Sequence, residues 1–425
     1  MAEKSSHTPG TSAASLFTGL RVLDASTLLA APLAASILGD FGAEVIKIED
    51  PRRGDPLRTY LPQRDGVSLI HKVTNRNKHQ VSLDLRNAEG RELFRRLVVE
   101  CDVVVLNFRL PTLQGWQLDY SDLAPLNPRL IMLHLTAYGR TGPYRERPGF
   151  ARVSEAFSGI MGITGFPDRQ PVPAGYPVVD GLTGLVGALA LCMALYDRER
   201  TGLGQLVDLA LYDGMFRILE DVVIGYDQTG ESRERLGTAN PYVAPNDIYR
   251  CADGEWLVLP VSTEVMFERL GVAMGTPELA RDARFSSNVE RVHHRVELDA
   301  LINRWLSGLT AAEAARILQE HNVPCGPVYS AAEILEDPHM RARGSIASVF
   351  DDELKTSLRM QAPMPLLSRT PGAIRFPGRP KGADTFEILQ RILNISADTC
   401  RELAQNGIIQ NADGGAPSEA GEHVS

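Results

Sequence analysis

From residue 19 onward the apolar positions alternate between two textures, short β-branched runs and longer stretches with apolar residues three and four apart. "LRVLDAS" reads as a strand, "APLAASILGDFG" as a helix with Pro32 near its first turn and Gly42 at its end, and "AEVIKIE" as the next strand. "HQVSLDLR" then predicts a strand, "NAEGRELFRRLVVECD" an amphipathic helix, "VVVLNF" a buried strand, and "PRLIMLHLTAYG" a strand running into a loop. "GQLVDLALYDGMFRILEDVVIGYDQ" repeats strand then helix. Such alternation predicts an α/β fold with a doubly wound, largely parallel sheet covered on both faces.

The texture changes near residue 228. "LGTANPYVAPNDIYRCADGEWLVLPV" is rich in turn residues and predicts a hairpin around "ADGEW". Helical patterns follow in "NVERVHHRVELDALINRWLSGL" and "TAAEAARILQEHN", which places a smaller α+β domain at 228–330 after a large domain at 18–227. Residues 331–405 bring the β-like "ASVFDDELKTSLRMQAPMPLL" and a final helix near "DTFEILQRILN". The ends, 1–17 and 406–425, are small and polar and read as a flexible N-terminal tail and a disordered C-terminal one.

Composition narrows the class of protein. A chain of 425 residues, 44% hydrophobic and 23% charged, is expected to fold as a soluble protein of two domains, or of one large domain with a sizeable insertion. Its formal net charge of -9 argues against general affinity for nucleic acid or an anionic membrane. The uncharged run from Gly181 to Leu195 falls short of the ~20 residues that span a bilayer and reads as a buried core helix. Five scattered cysteines without a C-x-x-C pair, and an N-terminus without a signal-peptide pattern, place the expectation in the reducing cytoplasm. His71, His79, His134, His293, His294, His321 and His339 form no metal motif, so no metal is expected. Neither G-x-G-x-x-G nor a P-loop occurs, so a nicotinamide dinucleotide or P-loop nucleotide is unsupported.

One acid stands out. In "VVDGLTGLVGALALCMALYDRERTG", Asp180 separates an apolar run from a helix rich in small residues. A helix beginning at Gly181 would make Asp180 its N-cap, ionised by free N–H groups and the positive end of the dipole. An N-cap is a sufficient explanation by itself. Gly181, Gly184 and Gly187 each cost about 1 kcal/mol relative to alanine within a helix, so either a ligand or another backbone must approach closely. Basic and amide residues in "NFR" and "TAYGRTGPY" fall at the expected carboxyl ends of strands, where open α/β sheets bind anionic ligands.

Taken in order, "GLRVLDASTLLAAPLAASILGDFGAEVIKIEDPRRGDPLR", "NRNKHQVSLDLRNAEGRELFRRLV", "DVVVLNFR", "LNPRLIMLHLTAYGRTGPYRERPGF" and "VVDGLTGLVGALALCMALYDRERTGLGQLVDLAL" resemble the successive blocks of class III CoA-transferases. "GTANPYVAPNDIYRCADGEWLVL" and "NVPCGPVYSAAEILEDP" extend the likeness, which covers residues 19 to 400. The resemblance implies an interlocked homodimer, or a hetero-oligomer with a paralogue. It also implies a large CoA-binding domain built from both chain ends, so that 331–405 return to it. No tightly bound cofactor is implied; coenzyme A and acyl-CoA are substrates. Asp180 holds the position of a nucleophile that forms an acyl-aspartyl anhydride and then an aspartyl-CoA thioester.

By the same resemblance Thr27, Leu28, Leu29 and Ala30 lie against the thiol end of CoA. Leu83 and Arg86, Asn107, Phe108 and Arg109, and Thr136, Ala137, Tyr138 and Gly139 follow its adenine, ribose and pantetheine. Arg86 and Arg109 are the expected phosphate contacts. The chain departs from the family at Gly115, where many relatives carry an arginine, and Arg109 is the candidate to compensate. A dicarboxylic donor such as succinyl-CoA is expected from family frequency. Two alternatives stay open. A 2-methylacyl-CoA racemase would carry a histidine where this chain has Phe150, so a two-base mechanism would lack a partner. A non-catalytic CoA-binding relative would have no use for Asp180.

Overall fold

The computed structural model describes residues 15–412. It divides into two compact units, one comprising the chain up to Gly159, Ala174–Glu220 and the chain from Ala342 onward, the other Ile160–Pro173 and Asp221–Arg341. In the first unit the main strands are β1 (Arg21–Asp24), β2 (Glu44–Glu49), β3 (Lys78–Leu83), β4 (Val103–Leu106), β5 (Ile131–Thr136), β6 (Leu206–Ala210) and β7 (Ile409–Gln410). They form one sheet in the order β7-β3-β2-β1-β4-β5-β6. Every neighbouring pair is parallel except β7 with β3. The chain winds outward through β1, β2 and β3, then returns to the other side of β1 for β4, β5 and β6. That reversal opens a crevice beyond the carboxyl ends of β1 and β4, the place where doubly wound sheets bind ligands.

Helices cover both faces. On one side α2 (Ala88–Val99), α6 (Thr385–Leu393) and α7 (Ala397–Gln405) bring Phe94, Leu97, Ile388 and Leu403 onto Ile46, Val104 and Met132. On the other lie α1 (Ala30–Asp40) and α4 (Val178–Thr201), with the shorter α3 (Ala151–Ser158) and α5 (Asp213–Ile218) beside α4. The glycines of α4 divide by role. A Cβ at Gly184 would lie 2.7 Å from the Ala30 carbonyl oxygen and 2.9 Å from Leu33, and one at Gly187 would lie 3.2 Å from both Ala34 and Leu133. These two permit close packing of α4 on α1 and the sheet, whereas Gly181 faces open space. Gly184→Val is expected to destabilise by about 3 kcal/mol through overpacking, read as a lower urea midpoint, while Gly181→Ala, with open space for its Cβ, should raise that midpoint through up to about 1 kcal/mol of helix propensity.

Some expectations change. The helix read as a buried core helix is buried on one face only. Leu185, Leu189, Met193 and Tyr196, spaced four, four and three apart, form an exposed apolar stripe along α4. By length and composition α4 could cross a membrane, yet its opposite face packs against α1 and the sheet. The C-terminal tail read from residue 406 begins later, because Ile408 and Ile409 are buried and β7 pairs with Ser82 and Leu83. The helix read as the last is followed by α7, whose Cys400 and Leu403 join the core. At the N-terminal end Ser15–Phe17 belong to a turn, with the Phe17 N–H donating to the Phe41 carbonyl at 3.0 Å. The rest of both tails lies outside the described residues.

Strand periodicity has a polar consequence on the α1 side. Ile46 and Ile48 of β2 face the apolar core, so Lys47 between them points the opposite way and is fully buried. It lies 3.0 Å from Asp55 and 3.9 Å from Asp24. Lys78, also fully buried, donates to Asp24 at 2.8 Å and to the Pro32 carbonyl at 2.7 Å. Burial pushes the Lys78 ammonium down to about 8 even with the Asp24 carboxylate beside it. The network ties β1, β2, β3 and α1 together under the crevice.

The second unit has its own core. Strands Asn246–Arg250, Trp256–Pro260 and Gly326–Pro327 form an antiparallel sheet, the first two as the hairpin expected around "ADGEW". Helices Glu264–Ala273, Arg295–Leu306 and Ala311–Glu320 pack Phe267, Ile302 and Leu318 against Tyr249, Leu257 and Leu259.

Candidate active site

A cavity of about 810 Å³ occupies the crevice of the first unit. Its wall comes from the loops after β1 (Thr27, Leu28, Leu29), after β4 (Asn107, Arg109) and after β5 (Thr136, Ala137), and from Asp180 in the first turn of α4. Asn107 fixes two of these loops together. Its Oδ1 accepts from the Thr27 N–H at 3.0 Å and its Nδ2 donates to the Thr27 carbonyl at 2.9 Å.

Asp180 is not an N-cap. Helix α4 starts at Val178, after Pro177 with φ of -69°, so Asp180 is its third residue. The N-cap position makes no side-chain hydrogen bond. Proline sets a helical φ before the glycine that suggested a later start. The carboxylate is therefore not spent on capping, and among the described residues it makes no hydrogen bond or ion pair. Half-buried without a cation at hand, it is raised by desolvation from an ordinary 3.8 to about 6. At pH 7 roughly nine-tenths of it remains ionised.

Two measurements follow from that value. If the ionised carboxylate is the reactive form, kcat/KM should rise with pH through a limb near 6 and fall about tenfold per unit below it; a limb near 4 would contradict the desolvated environment. The raised value also costs stability. Below pH ~4 the carboxyl is protonated in folded and unfolded chains alike and costs nothing, whereas above about 6 the folded chain carries the full cost of the charge. Asp180→Asn should therefore stabilise by about 1–2 kcal/mol at pH 8, after allowance for solvent screening, and by nothing at pH 3.5, as thermal unfolding at the two pH values would read.

Of the other residues singled out from the sequence, Ala30 also lines the cavity at the start of α1. Thr136 brings a buried hydroxyl without a hydrogen-bond partner. Leu83, Arg86, Phe108, Tyr138 and Gly139 lie outside the lining. Leu83 is buried in the core and pairs with Ile409. Arg86 is exposed and ion-paired to Asp50 and Asp84. Phe108 packs edge-on against Trp116, while its carbonyl accepts from His134 Nε2 at 2.8 Å. Tyr138 joins an aromatic cluster with Tyr144 and Phe157. Gly139, at φ 80°, leads to the Arg140 N–H, which Asp208 accepts at 3.1 Å. Gly115 sits in helix Leu110–Trp116 beneath open space.

The segment from Arg145 to Arg152 contributes wall residues that sequence reasoning passed over. Its signal was present, as three arginines in "YRERPGFAR". The Arg147 guanidinium stacks 3.7 Å over the Tyr144 ring, and Arg152 pairs with buried Glu155 at 3.1 Å. Glu155 accepts the Ala174 N–H at 2.7 Å and Arg152 donates to the Ala174 carbonyl at 3.0 Å, which anchors the chain shortly before α4. Arg109 and Arg147 have no carboxylate partner among the described residues. Phe150, an exposed ring on the wall, offers no acid or base.

A doubly wound sheet with unpaired arginines and a free carboxylate beyond its carboxyl ends is the arrangement of an enzyme that handles an anionic ligand. A model of CoA-transferase family III matches residues 17–385. The chain belongs to this family and is a CoA-transferase. It is 42% identical to succinyl-CoA–D-citramalate CoA-transferase of Chloroflexus aurantiacus, over 92% of this chain and 97% of the relative. It is 40% identical to the alpha subunit of succinyl-CoA–L-malate CoA-transferase of Chloroflexus aurantiacus, over 95% of each chain. Among solved structures, a CAIB/BAIF family protein from Brucella suis superposes with a TM-score of 0.79 at 33% identity, over 89% of this chain and 99% of the other.

Proposed function

We propose that the protein moves CoA from a dicarboxylic acyl-CoA, succinyl-CoA being the first candidate, to a free carboxylic acid through covalent intermediates on Asp180. The observation that carries this reading is the Asp180 carboxylate, unpaired and desolvated on the wall of the cavity. An Asp180 oxygen attacks the thioester carbonyl and CoA thiolate leaves, giving a mixed anhydride. The thiolate attacks the aspartyl carbonyl and expels the donor acid, leaving an aspartyl-CoA thioester. The acceptor carboxylate attacks that thioester and expels thiolate again. Thiolate then attacks the acceptor carbonyl and frees Asp180. Each hard acyl transfer is split into two easier ones. Arg109 and Arg147, free of carboxylates, suit the phosphates of CoA.

The dicarboxylic donor is supported by the two Chloroflexus aurantiacus relatives, both named for succinyl-CoA as donor. The test is exchange between a panel of acyl-CoA donors and free acids, with mass detection of the new thioester. Fastest turnover with dicarboxylic donors is expected, together with a donor-dependent mass increase on the enzyme. Exchange only with monocarboxylic donors would refute the substrate class, and absence of any donor-dependent covalent adduct on the enzyme would refute the covalent route.

The reading includes an interlocked dimer, with a second copy or a paralogous subunit. It is supported by the exposed stripe Leu185, Leu189, Met193 and Tyr196, continued in character by Phe216 and Ile218 of α5. Leu189→Lys with Met193→Lys should shift the sedimentation coefficient toward that of a single chain; an unchanged coefficient would move the interface elsewhere.

A further inference from the structure

We propose that Asp55 is a positioning residue of the active site, holding the Leu28 backbone in the left-handed conformation that shapes the cavity wall shared with Asp180. Leu28 has φ of 69°, a region that L side chains with a Cβ adopt only when their surroundings hold them there. The hold is visible. The Leu28 N–H donates to Asp55 Oδ1 at 3.1 Å, and the same oxygen accepts from the Leu57 N–H at 2.9 Å.

Asp55 is itself fixed from below. It is 1% exposed, its Oδ2 lies 3.0 Å from the buried Lys47 ammonium, and its N–H donates to Glu49 at 2.8 Å. The preceding Gly54, at φ 68°, admits that approach, since a Cβ there would lie 2.8 Å from the Glu49 carboxylate. The two residues before Leu28 are gripped in the same way. Asp24 accepts the Ser26 N–H at 3.0 Å, Lys47 donates to the Ser26 carbonyl, and Asn107 holds both backbone groups of Thr27. Three successive loop residues are thus held by side chains from β1, β2 and the loops after β2 and β4. A wall so held stays in one geometry during acyl transfer, where misplacement by about 1 Å can lower turnover 100-fold.

The proposal rests on the cavity being the site of transfer, which Asp180→Asn tests separately. Loss of exchange in that variant, without the coupling described next, would remove only the role of Asp55. The experiment is a double-mutant cycle of Asp55→Ala with Leu28→Gly, reading kcat per folded molecule in CoA exchange. Asp55→Ala alone is expected to lower kcat about 100-fold. In the Leu28→Gly background the same change should cost tenfold or less, because glycine reaches positive φ unaided. Asp55→Asn, whose amide oxygen can still accept from Leu28, should lose less than Asp55→Ala. An equal loss in both backgrounds would overturn the proposal, as would folded Asp55→Ala with kcat within threefold of the parent. If Asp55→Ala does not fold, the cycle is repeated with Lys47→Met in every variant, which removes the ammonium that Asp55→Ala leaves unpaired, and is read by the same criterion.

Discussion

Asp180→Asn should lower CoA exchange by at least about 10⁴-fold, equivalent to more than about 5 kcal/mol of transition-state stabilisation. The amide nearly matches the carboxylate in shape but offers no nucleophilic oxygen, and no other acid on the cavity wall is free to replace it. Glu155 also lines the cavity, yet Arg152 and the Ala174 N–H occupy its oxygens. Asp180→Glu should retain the chemistry at about one-hundredth of the rate, since the added methylene displaces the attacking oxygen. Rates of acyl-CoA consumption measured on folded variants check both values. The combination of a more stable and inactive Asp180→Asn variant would mark the position as one where burial of a charge serves reactivity.

The largest effect on stability is expected at Asp24, beneath the site. Asp24→Ala removes the carboxylate 2.8 Å from Lys78 and leaves that buried ammonium without an ion-pair partner within 4 Å among the described residues, Asp55 acting on it only from further off. Breaking one side of a buried pair costs about 3–5 kcal/mol, a large part of the ~5–15 kcal/mol that holds a typical domain together. Adding Lys78→Met should recover at least half of the loss, because the second change removes the uncompensated charge. Urea denaturation of the two single variants and the double variant reads this coupling directly. Additive losses would show that the two groups do not stabilise each other.

The contrast between Asp24 and Asp180 shows what was legible in the sequence. The parallel strands were, because each is a short β-branched run between helical patterns, and so was the hairpin at "ADGEW". Asp180 stood out as a lone acid among small and apolar residues. Its exact place was not legible, since glycine at 181 pointed to a later helix start while Pro177 in fact sets it. Lys47 and Lys78 lie in strand patterns whose periodicity says which face they take, not that tertiary partners bury them. The hold on Leu28 was hidden for the same reason. Asp24, Asp55 and Asn107 come from separate parts of the chain and meet only when the strand order reverses beside β1. The C-terminal strand was overlooked because "GIIQ" is too short for a pattern and draws its stability from pairing with β3.

The covalent role of Asp180 is tested most directly by trapping it. The enzyme is incubated with succinyl-CoA, quenched with borohydride, digested and sequenced by mass spectrometry. An aspartyl-CoA thioester at Asp180 would be reduced to homoserine at that position, only when the donor is present and not in Asp180→Asn. Unmodified Asp180 in enzyme that is turning over, or donor-dependent modification at another residue, would contradict the account.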